Sequence, residues 1–112
     1  MTFEAFDVVV VPFPFTDRST KKRRPALVLS DAKAFNRPVG QSVLAMITSA
    51  RNSDWPLDVS ISDLDSAGLP SPSVARMKLF TLDDHLVIRK AGTLAANDQR
   101  AVVSSLRRLF SP

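Results

Sequence analysis

The chain has 112 residues, of which 45% are hydrophobic and 23% are charged. These values are typical of one globular domain spanning residues 1–112, and they argue against a disordered chain. The sequence contains no cysteine and one histidine, which excludes structural disulfides, thiolate metal sites and multi-histidine metal sites. The net charge of +4 mildly favours a polyanionic partner.

The N-terminal segment favours neither export nor membrane insertion. Glu4 and Asp7 stand where a signal peptide carries positive charge. The apolar run that follows them ends at Pro12 and is far too short to span a bilayer. We therefore expect a cytoplasmic protein that makes no use of a membrane.

Short apolar runs separated by glycine, proline and aspartate predict a series of β-strands. The first run, Val8 to Val11, is β-branched throughout and indicates a strand that is buried on both faces. Pro12 and Pro14 should end it, because proline cannot donate to a strand ladder. A short helical turn is predicted at residues 63–65, a turn at residues 83–85 and another at Gly92. The six predicted strands are residues 7–13, 25–30, 41–49, 58–61, 74–79 and 86–89.

The C-terminal segment has the periodicity of an amphipathic helix that begins near Asn97, its predicted N-cap. Asp98 and the C-terminal arginines have the signs that suit the two ends of the helix dipole. The apolar stripe is Val102, Val103, Leu106, Leu109 and Phe110, and the outer face is Arg100, Ser104, Arg107 and Arg108. The resulting expectation is a mainly β fold with α, a small antiparallel β-barrel closed by a C-terminal helix.

Most catalytic signatures are absent from the sequence. Three glycines cannot build a phosphate-binding loop or a dinucleotide fingerprint, and there is no G-x-S-x-G elbow. The chemistry that remains is that of guanidinium and hydroxyl groups.

A basic cluster precedes the second predicted strand. It ends at Pro25, so Arg24 should be held on rigid backbone, where its guanidinium can fork onto two phosphate oxygens. Thr48 and Ser49 could offer hydroxyls at the same rim, with Arg51 in the next loop and Arg76 on the fifth strand. The members of the cluster are Arg18, Lys21, Lys22, Arg23 and Arg24.

This set of residues suits phosphodiester chemistry on RNA without a metal or cofactor, because the nucleophile is the 2′-hydroxyl of the substrate. The protein must orient the phosphate, stabilise the developing charge and move a proton. Arginine and threonine can do the first two, whereas proton transfer by arginine is difficult because its pKa is very high. Phe13, Phe15 and Trp55 could stack on bases. The residues alone predict a basic barrel that binds single-stranded nucleic acid.

Three blocks, read together, resemble the PemK/MazF family, the toxin half of bacterial toxin–antitoxin pairs. They are FDVVVVPFPFTD (6–17), RRPALVLS (23–30) with AMITS (45–49), and SVARMKLFTLDDHLVIRKAGTLAANDQRAVVSSL (73–106). The resemblance implies an SH3-like barrel, a homodimer and metal-independent cleavage of single-stranded RNA to 2′,3′-cyclic phosphate and 5′-hydroxyl ends. A cognate antitoxin would occupy the RNA groove.

The resemblance also assigns site residues. The family's catalytic arginine, in its R-P motif, falls on Arg24, and its catalytic threonine, in its I-T motif, falls on Thr48. An arginine that some members use on the fifth strand falls on Arg76. The remaining residues expected to bind RNA are Arg18, Lys21, Lys22, Arg23, Ser49, Arg51 and Lys78.

The chain departs from the family pattern at two places. The loop before the R-P motif reads D-R-S-T-K-K where many members have G-x-E-Q, and Lys78 stands where some members carry a carboxylate. Both changes remove candidate proton acceptors and make the groove more basic. RNA affinity should be kept despite these changes, whereas the assignment of a general base is put in doubt.

Three alternatives to an RNA-cleaving toxin remain open. A gyrase inhibitor of the CcdB type shares the barrel but acts through a Trp-Gly-Ile C-terminus, whereas this chain ends LFSP and has its only tryptophan at position 55. The others are a nucleic-acid-binding barrel that does not cleave and a degenerate toxin kept as a regulatory partner of its antitoxin. Cleavage of a long unstructured RNA separates the enzyme from all three.

Overall fold

The structure, a computed structural model, describes residues 2–13, 22–52 and 54–111. Its strands are β1 (Asp7–Pro12), β2 (Arg23–Val28), β3 (Gln41–Ser49), β4 (Val59–Ser60), β5 (Ser73–Asp83) and β6 (Arg89–Thr93). Its helical elements are a π-helical turn (Ala32–Asn36), α1 (Arg37–Val39), α2 (Leu64–Ala67), a 3₁₀ turn (Asp84–Leu86) and α3 (Ala96–Leu109).

The strands form one antiparallel sheet in the order β4-β5-β3-β2-β1-β6. The sheet curls into a half-barrel that carries the C-terminal helix, which confirms the predicted fold class. None of the helices in the described ranges is long and apolar enough to cross a membrane.

The sheet has a hydrophobic core on each face, and β1 contributes to both. Val8 packs in one core with Leu27 and with Val102 of α3. Val9 and Val11, which alternate with Val8 along the strand, pack in the other core. All three valines are fully buried, so the prediction of a strand buried on both faces is confirmed.

The prediction for the sixth strand and its turn is wrong. Residues 84–86 form the 3₁₀ turn, and β6 begins at Arg89 and runs through Gly92, which pairs with Val8 of β1. A Cβ atom at Gly92 would lie 2.3 Å from the carbonyl oxygen of Ser66. This glycine therefore permits the close approach of α2 to the strand and does not make a turn.

The start of α3 also differs from its prediction. The helix begins at Ala96 with Ala95 as its N-cap, and no side chain caps it, so Asn97 is not the cap. Leu109 and Phe110 were predicted in the buried stripe but are 38% and 55% exposed. They lie at and just beyond the last turn of the helix, where no described element covers them fully.

The short helical turn predicted at residues 63–65 is confirmed as α2. Asp63 caps it by accepting a hydrogen bond from the N–H of Ser66 at 3.0 Å. The helix ends at Gly68, which has φ +72°, in the left-handed region that favours glycine.

Replacing Gly68 by alanine should destabilise the fold through both backbone strain and a clash with β6. The new Cβ would lie 2.1 Å from the carbonyl oxygen of Ala91. We expect the free energy of unfolding to fall by about 3 kcal/mol, measured by urea denaturation. Gly40→Ala is the matched control, because Gly40 has φ +76° and no atom within 4 Å of its Cβ position. It should lose only about 1 kcal/mol, and equal losses for the two variants would contradict the clash.

Candidate active site

Arg24 is the last residue of the basic cluster and lies on β2, in the middle of the sheet. It pairs with Val11 of β1, and the next residue, Pro25, pairs with Val10. The guanidinium carbon lies 4.8 Å from the centroid of the Phe13 ring, within the range of a cation–π contact. β1 thus holds the backbone of Arg24, and the residue that follows β1 contacts its side chain.

Thr48 lies near the end of β3, where its backbone pairs with Val74 of β5. The side-chain amide of Asn52 donates a hydrogen bond to the Thr48 hydroxyl oxygen. Because the oxygen accepts this bond, the O–H group of Thr48 can donate a hydrogen bond to a ligand. Asn52 was not among the predicted site residues.

The sheet register brings Arg24 and Thr48 together. The ladder between β2 and β3 pairs Ala26 with Met46, and continuing it by two residues sets Arg24 opposite Thr48. Pro25 has no N–H to donate, and the ladder does not extend past Ala26 toward Arg24. Cavities open where it stops.

Arg24 and Thr48 both line two neighbouring cavities. One, of about 380 Å³, is lined by the rings of Phe13 and Phe80 together with aliphatic and cationic side chains, and is called the aromatic cavity. The other, of about 450 Å³, carries hydroxyl groups from Ser49, Ser71 and Ser73, and is called the polar cavity. The two predicted catalytic residues therefore stand at the junction of the two cavities.

Arg76 lines the aromatic cavity, so the structure brings the three predicted catalytic residues together. Its side chain is only 11% exposed and makes a two-point contact with Asp58, from Nε to Oδ1 at 3.2 Å and from Nη2 to Oδ2 at 3.0 Å. The hydrogen bonds to Asp58 raise the pKa of Arg76 above its ordinary value. The guanidinium therefore stays charged and is a poor proton shuttle.

Lys78 lines the same cavity and lies against the indole of Trp55. The distance from Lys78 Nζ to the ring centroid is 4.4 Å, and the guanidinium carbon of Arg76 lies 5.7 Å from the ring. Trp55 is 42% exposed, so part of the indole stays open to solvent beside the cavity.

The other described residues that were predicted to bind RNA lie along the polar cavity or next to it. Lys22, Arg23 and Ser49 line it, and Arg51 lines a smaller adjoining cavity together with Ser49. Two further members of the predicted basic cluster, Arg18 and Lys21, lie outside the described residues, as does Phe15.

Asp58, like Asn52, is a site residue that the sequence did not predict. It was interpreted only as the first residue of a short strand, and it is 18 positions away from its partner Arg76. An aspartate at a strand end is common, so no local pattern marks this one. The pairing of β4 with β5 brings the two together, because the ladder that pairs Val59 with Ala75 sets Asp58 opposite Arg76 when it is continued by one residue.

Comparison with known proteins places the chain in one family. The profile described as PemK-like, MazF-like toxin of type II toxin-antitoxin system matches residues 4–110. A sequence comparison with curated proteins finds no match.

Solved structures agree with this match. MazF from Deinococcus radiodurans is 26% identical over 97% of this chain and 96% of that chain, with a TM-score of 0.73. A MazE–MazF structure from the same organism is 25% identical over 97% and 95%, with a TM-score of 0.74.

A Mycobacterial endoribonuclease solved in complex with its cognate antitoxin is 16% identical over 96% of this chain and 91% of that chain, with a TM-score of 0.73. At that identity the likeness shows the fold alone. The family profile covers nearly the whole sequence, and the chain therefore belongs to the family of PemK-like, MazF-like toxins of type II toxin–antitoxin systems.

Proposed function

We propose that the protein is a cytoplasmic endoribonuclease that cleaves single-stranded RNA at preferred sequences without a metal or cofactor. The observation that carries the proposal is the juxtaposition of Arg24 and Thr48 at the junction of the two cavities. A phosphate at that junction would have nucleotides on either side, one in the aromatic cavity and one in the polar cavity. Aromatic side chains stack on bases of any sequence, which suits single-stranded RNA.

The proposed reaction is attack of a ribose 2′-oxygen on its own phosphorus. The P–O5′ bond breaks as the new P–O2′ bond forms, giving a 2′,3′-cyclic phosphate and a 5′-hydroxyl. The 2′-hydroxyl proton leaves to an acceptor, and the departing 5′-oxygen gains a proton. Arg24 would form two parallel hydrogen bonds to the non-bridging oxygens, and the Thr48 hydroxyl would donate a hydrogen bond to the same phosphate.

Arg76 supplies a third group to this reaction. Because its contact with Asp58 keeps it charged, it would stabilise the extra negative charge of the transition state and would not exchange the proton itself. Charge stabilisation by preorganised donors is commonly the largest single contribution to catalysis.

The proposal includes two protein partners. A cognate antitoxin would silence the enzyme by occupying the groove, in keeping with the MazE–MazF complex of the similar Deinococcus radiodurans structure. A second copy of the chain would form a homodimer, and the exposed apolar Leu109 and Phe110 give it surface to cover. Sedimentation equilibrium would then return twice the mass of one chain.

RNA binding should weaken steeply with salt, because cationic side chains surround the site. Raising the salt from about 50 to 200 mM should lower the affinity by about 10- to 100-fold as counterions are released. Lys78→Ala should reduce the slope of log affinity against log salt by about 0.7. Lys33→Ala, an exposed lysine in the π-helical turn and away from the site, should leave the slope unchanged. A wild-type affinity that does not respond to salt would contradict a phosphate-binding groove.

The function itself is tested by incubating the protein with a long single-stranded RNA in EDTA and mapping the ends of the products. Cuts at recurring short sequences, with 5′-hydroxyl ends, are expected. Intact RNA bound by a folded protein would instead favour the non-cleaving alternatives, which are a nucleic-acid-binding barrel and a toxin that acts on a protein such as gyrase.

A further inference from the structure

A carboxylate lies beside the fifth-strand arginine, although residues 66–82, which surround Arg76 in the sequence, include none. Both oxygens of Asp58 accept hydrogen bonds from Arg76, at 3.2 and 3.0 Å. The two side chains are 19% and 11% exposed, so the contact is largely shielded from water. Two parallel hydrogen bonds fix the orientation of a guanidinium as well as its position.

The turn that presents Asp58 is held in an uncommon conformation. Asp58 accepts from the N–H of Trp55 and donates its own N–H to the Trp55 carbonyl, each at 3.2 Å. Leu57, inside the turn, has φ +67°, a left-handed conformation that disfavours a side chain. The hydroxyl of Ser105 on α3 donates to the Leu57 carbonyl at 3.1 Å. Strain maintained by tertiary contacts is typical of segments that position a functional group.

We propose that Asp58 is a positioning residue for Arg76, which it holds in the geometry needed for RNA cleavage while weakening the binding of RNA. The inference rests on the proposed endoribonuclease function. Among the described residues that line the aromatic cavity, Arg76 is present and Asp58 is not, so the carboxylate acts through the arginine. A negative charge on the far side of that arginine opposes the approach of a phosphate.

This role predicts opposite effects on catalysis and binding when Asp58 is replaced. In Asp58→Asn the arginine loses the negative charge of this partner and one of the two parallel hydrogen bonds, because an amide nitrogen cannot accept, and kcat should fall by about 10- to 100-fold. Removal of the negative charge should tighten the binding of RNA by about threefold or more. A merely structural role would weaken both.

The experiment measures kcat on an RNA oligonucleotide and the Kd of its analogue with a 2′-deoxy substitution at the cut. Trp55, the only tryptophan, reports binding by fluorescence. The proteins are wild type, Asp58→Asn, Arg76→Gln and the double variant, with Asp65→Asn as a control. Asp65 is an exposed aspartate of α2, so its replacement removes an equal charge away from Arg76 and should leave kcat unchanged.

In the Arg76→Gln background, Asp58→Asn should change kcat by no more than about twofold, because the two residues act on kcat as one unit, whereas the tighter RNA binding from the lost negative charge should remain. If the fall in kcat persisted there, Asp58 would act directly, for example as a proton acceptor, and the positioning role would be overturned. Weaker RNA binding by Asp58→Asn, or an unchanged kcat, would also overturn the positioning role. If the wild-type protein cleaved RNA, the proposed function would still hold. A wild-type protein that binds RNA without cutting it would remove the proposed function and this inference together.

Discussion

Replacing Arg24 by alanine should lower the rate of RNA cleavage by about 1,000-fold, because the variant loses the group placed to bind the scissile phosphate. The structure holds this side chain at the junction of two cavities and against the Phe13 ring. Arg24→Lys keeps the charge but loses the planar fork, and should recover only a small part of the rate. Cleavage is measured in single turnover, so that product release does not mask the chemical step.

The neighbouring arginine provides the control for charge alone. Arg23 is exposed and lines the polar cavity, and it is not among the described residues that line the aromatic cavity. Arg23→Ala should weaken RNA binding by several-fold and leave the single-turnover rate at saturating protein unchanged. Thr48→Ala should slow that rate strongly while circular dichroism shows a folded protein. A wild-type rate in Arg24→Ala, or equal losses in the two arginine variants, would contradict the catalytic assignment.

A large effect on stability is expected at Asp98, a carboxylate in the first turn of α3 that is only 3% exposed. It accepts from the N–H and hydroxyl of Ser62, at 3.0 and 2.8 Å, and from the N–H of Asp63 at 3.0 Å. It thereby joins the C-terminal helix to the segment that caps α2. Asp98→Ala leaves these donors without their acceptor, and should lower the free energy of unfolding by about 3 kcal/mol.

The same carboxylate predicts how stability depends on pH. Burial on its own would raise the pKa of Asp98, but the hydrogen bonds from Asp63 and Ser62 outweigh it and lower the pKa below its ordinary value. A lowered pKa in the folded state means that this contribution is complete above the unfolded pKa of about 3.9, and is lost as the pH falls through the folded value.

The difference in stability between wild type and Asp98→Asn should therefore be constant near neutrality and shrink below a pH of about 4. Urea unfolding at a series of pH values measures it. Asp65→Asn, an exposed aspartate of α2, should change stability by no more than about 0.5 kcal/mol at any pH. A difference for Asp98→Asn that grew on acidification would contradict the hydrogen-bonded carboxylate.

Local sequence patterns were sufficient where one element determines its own structure. The β-branched run at residues 8–11 and the apolar pattern at residues 41–49 give strands at the predicted positions. Gly92 was misinterpreted, because its glycine serves a contact with α2 that no local pattern reports. Asn97 failed as a cap for a similar reason, since the start of α3 is fixed by the contacts of Asp98 with Ser62 and Asp63.

The candidate site divides in the same way. Arg24, Thr48 and Arg76 could be named from short motifs on three strands, and pairing of those strands brings them together. Asp58 and Asn52 could not be named, because Asp58 meets Arg76 through the register of β4 on β5, and Asn52 reaches Thr48 through the loop that follows β3. Asp58 also places a carboxylate beside Arg76. On β5 itself, the position at which some family members carry a carboxylate is occupied by Lys78.

The most direct test of the proposed chemistry is a single 2′-deoxy substitution at the nucleotide 5′ to the mapped cut. The wild-type protein should bind this oligonucleotide as tightly as the all-RNA parent and should not cut it, because the nucleophile has been removed. Cleavage of the substituted oligonucleotide at the same position would show that water or another group attacks the phosphorus, and would contradict the proposed role of Arg24 and Thr48 in 2′-oxygen attack.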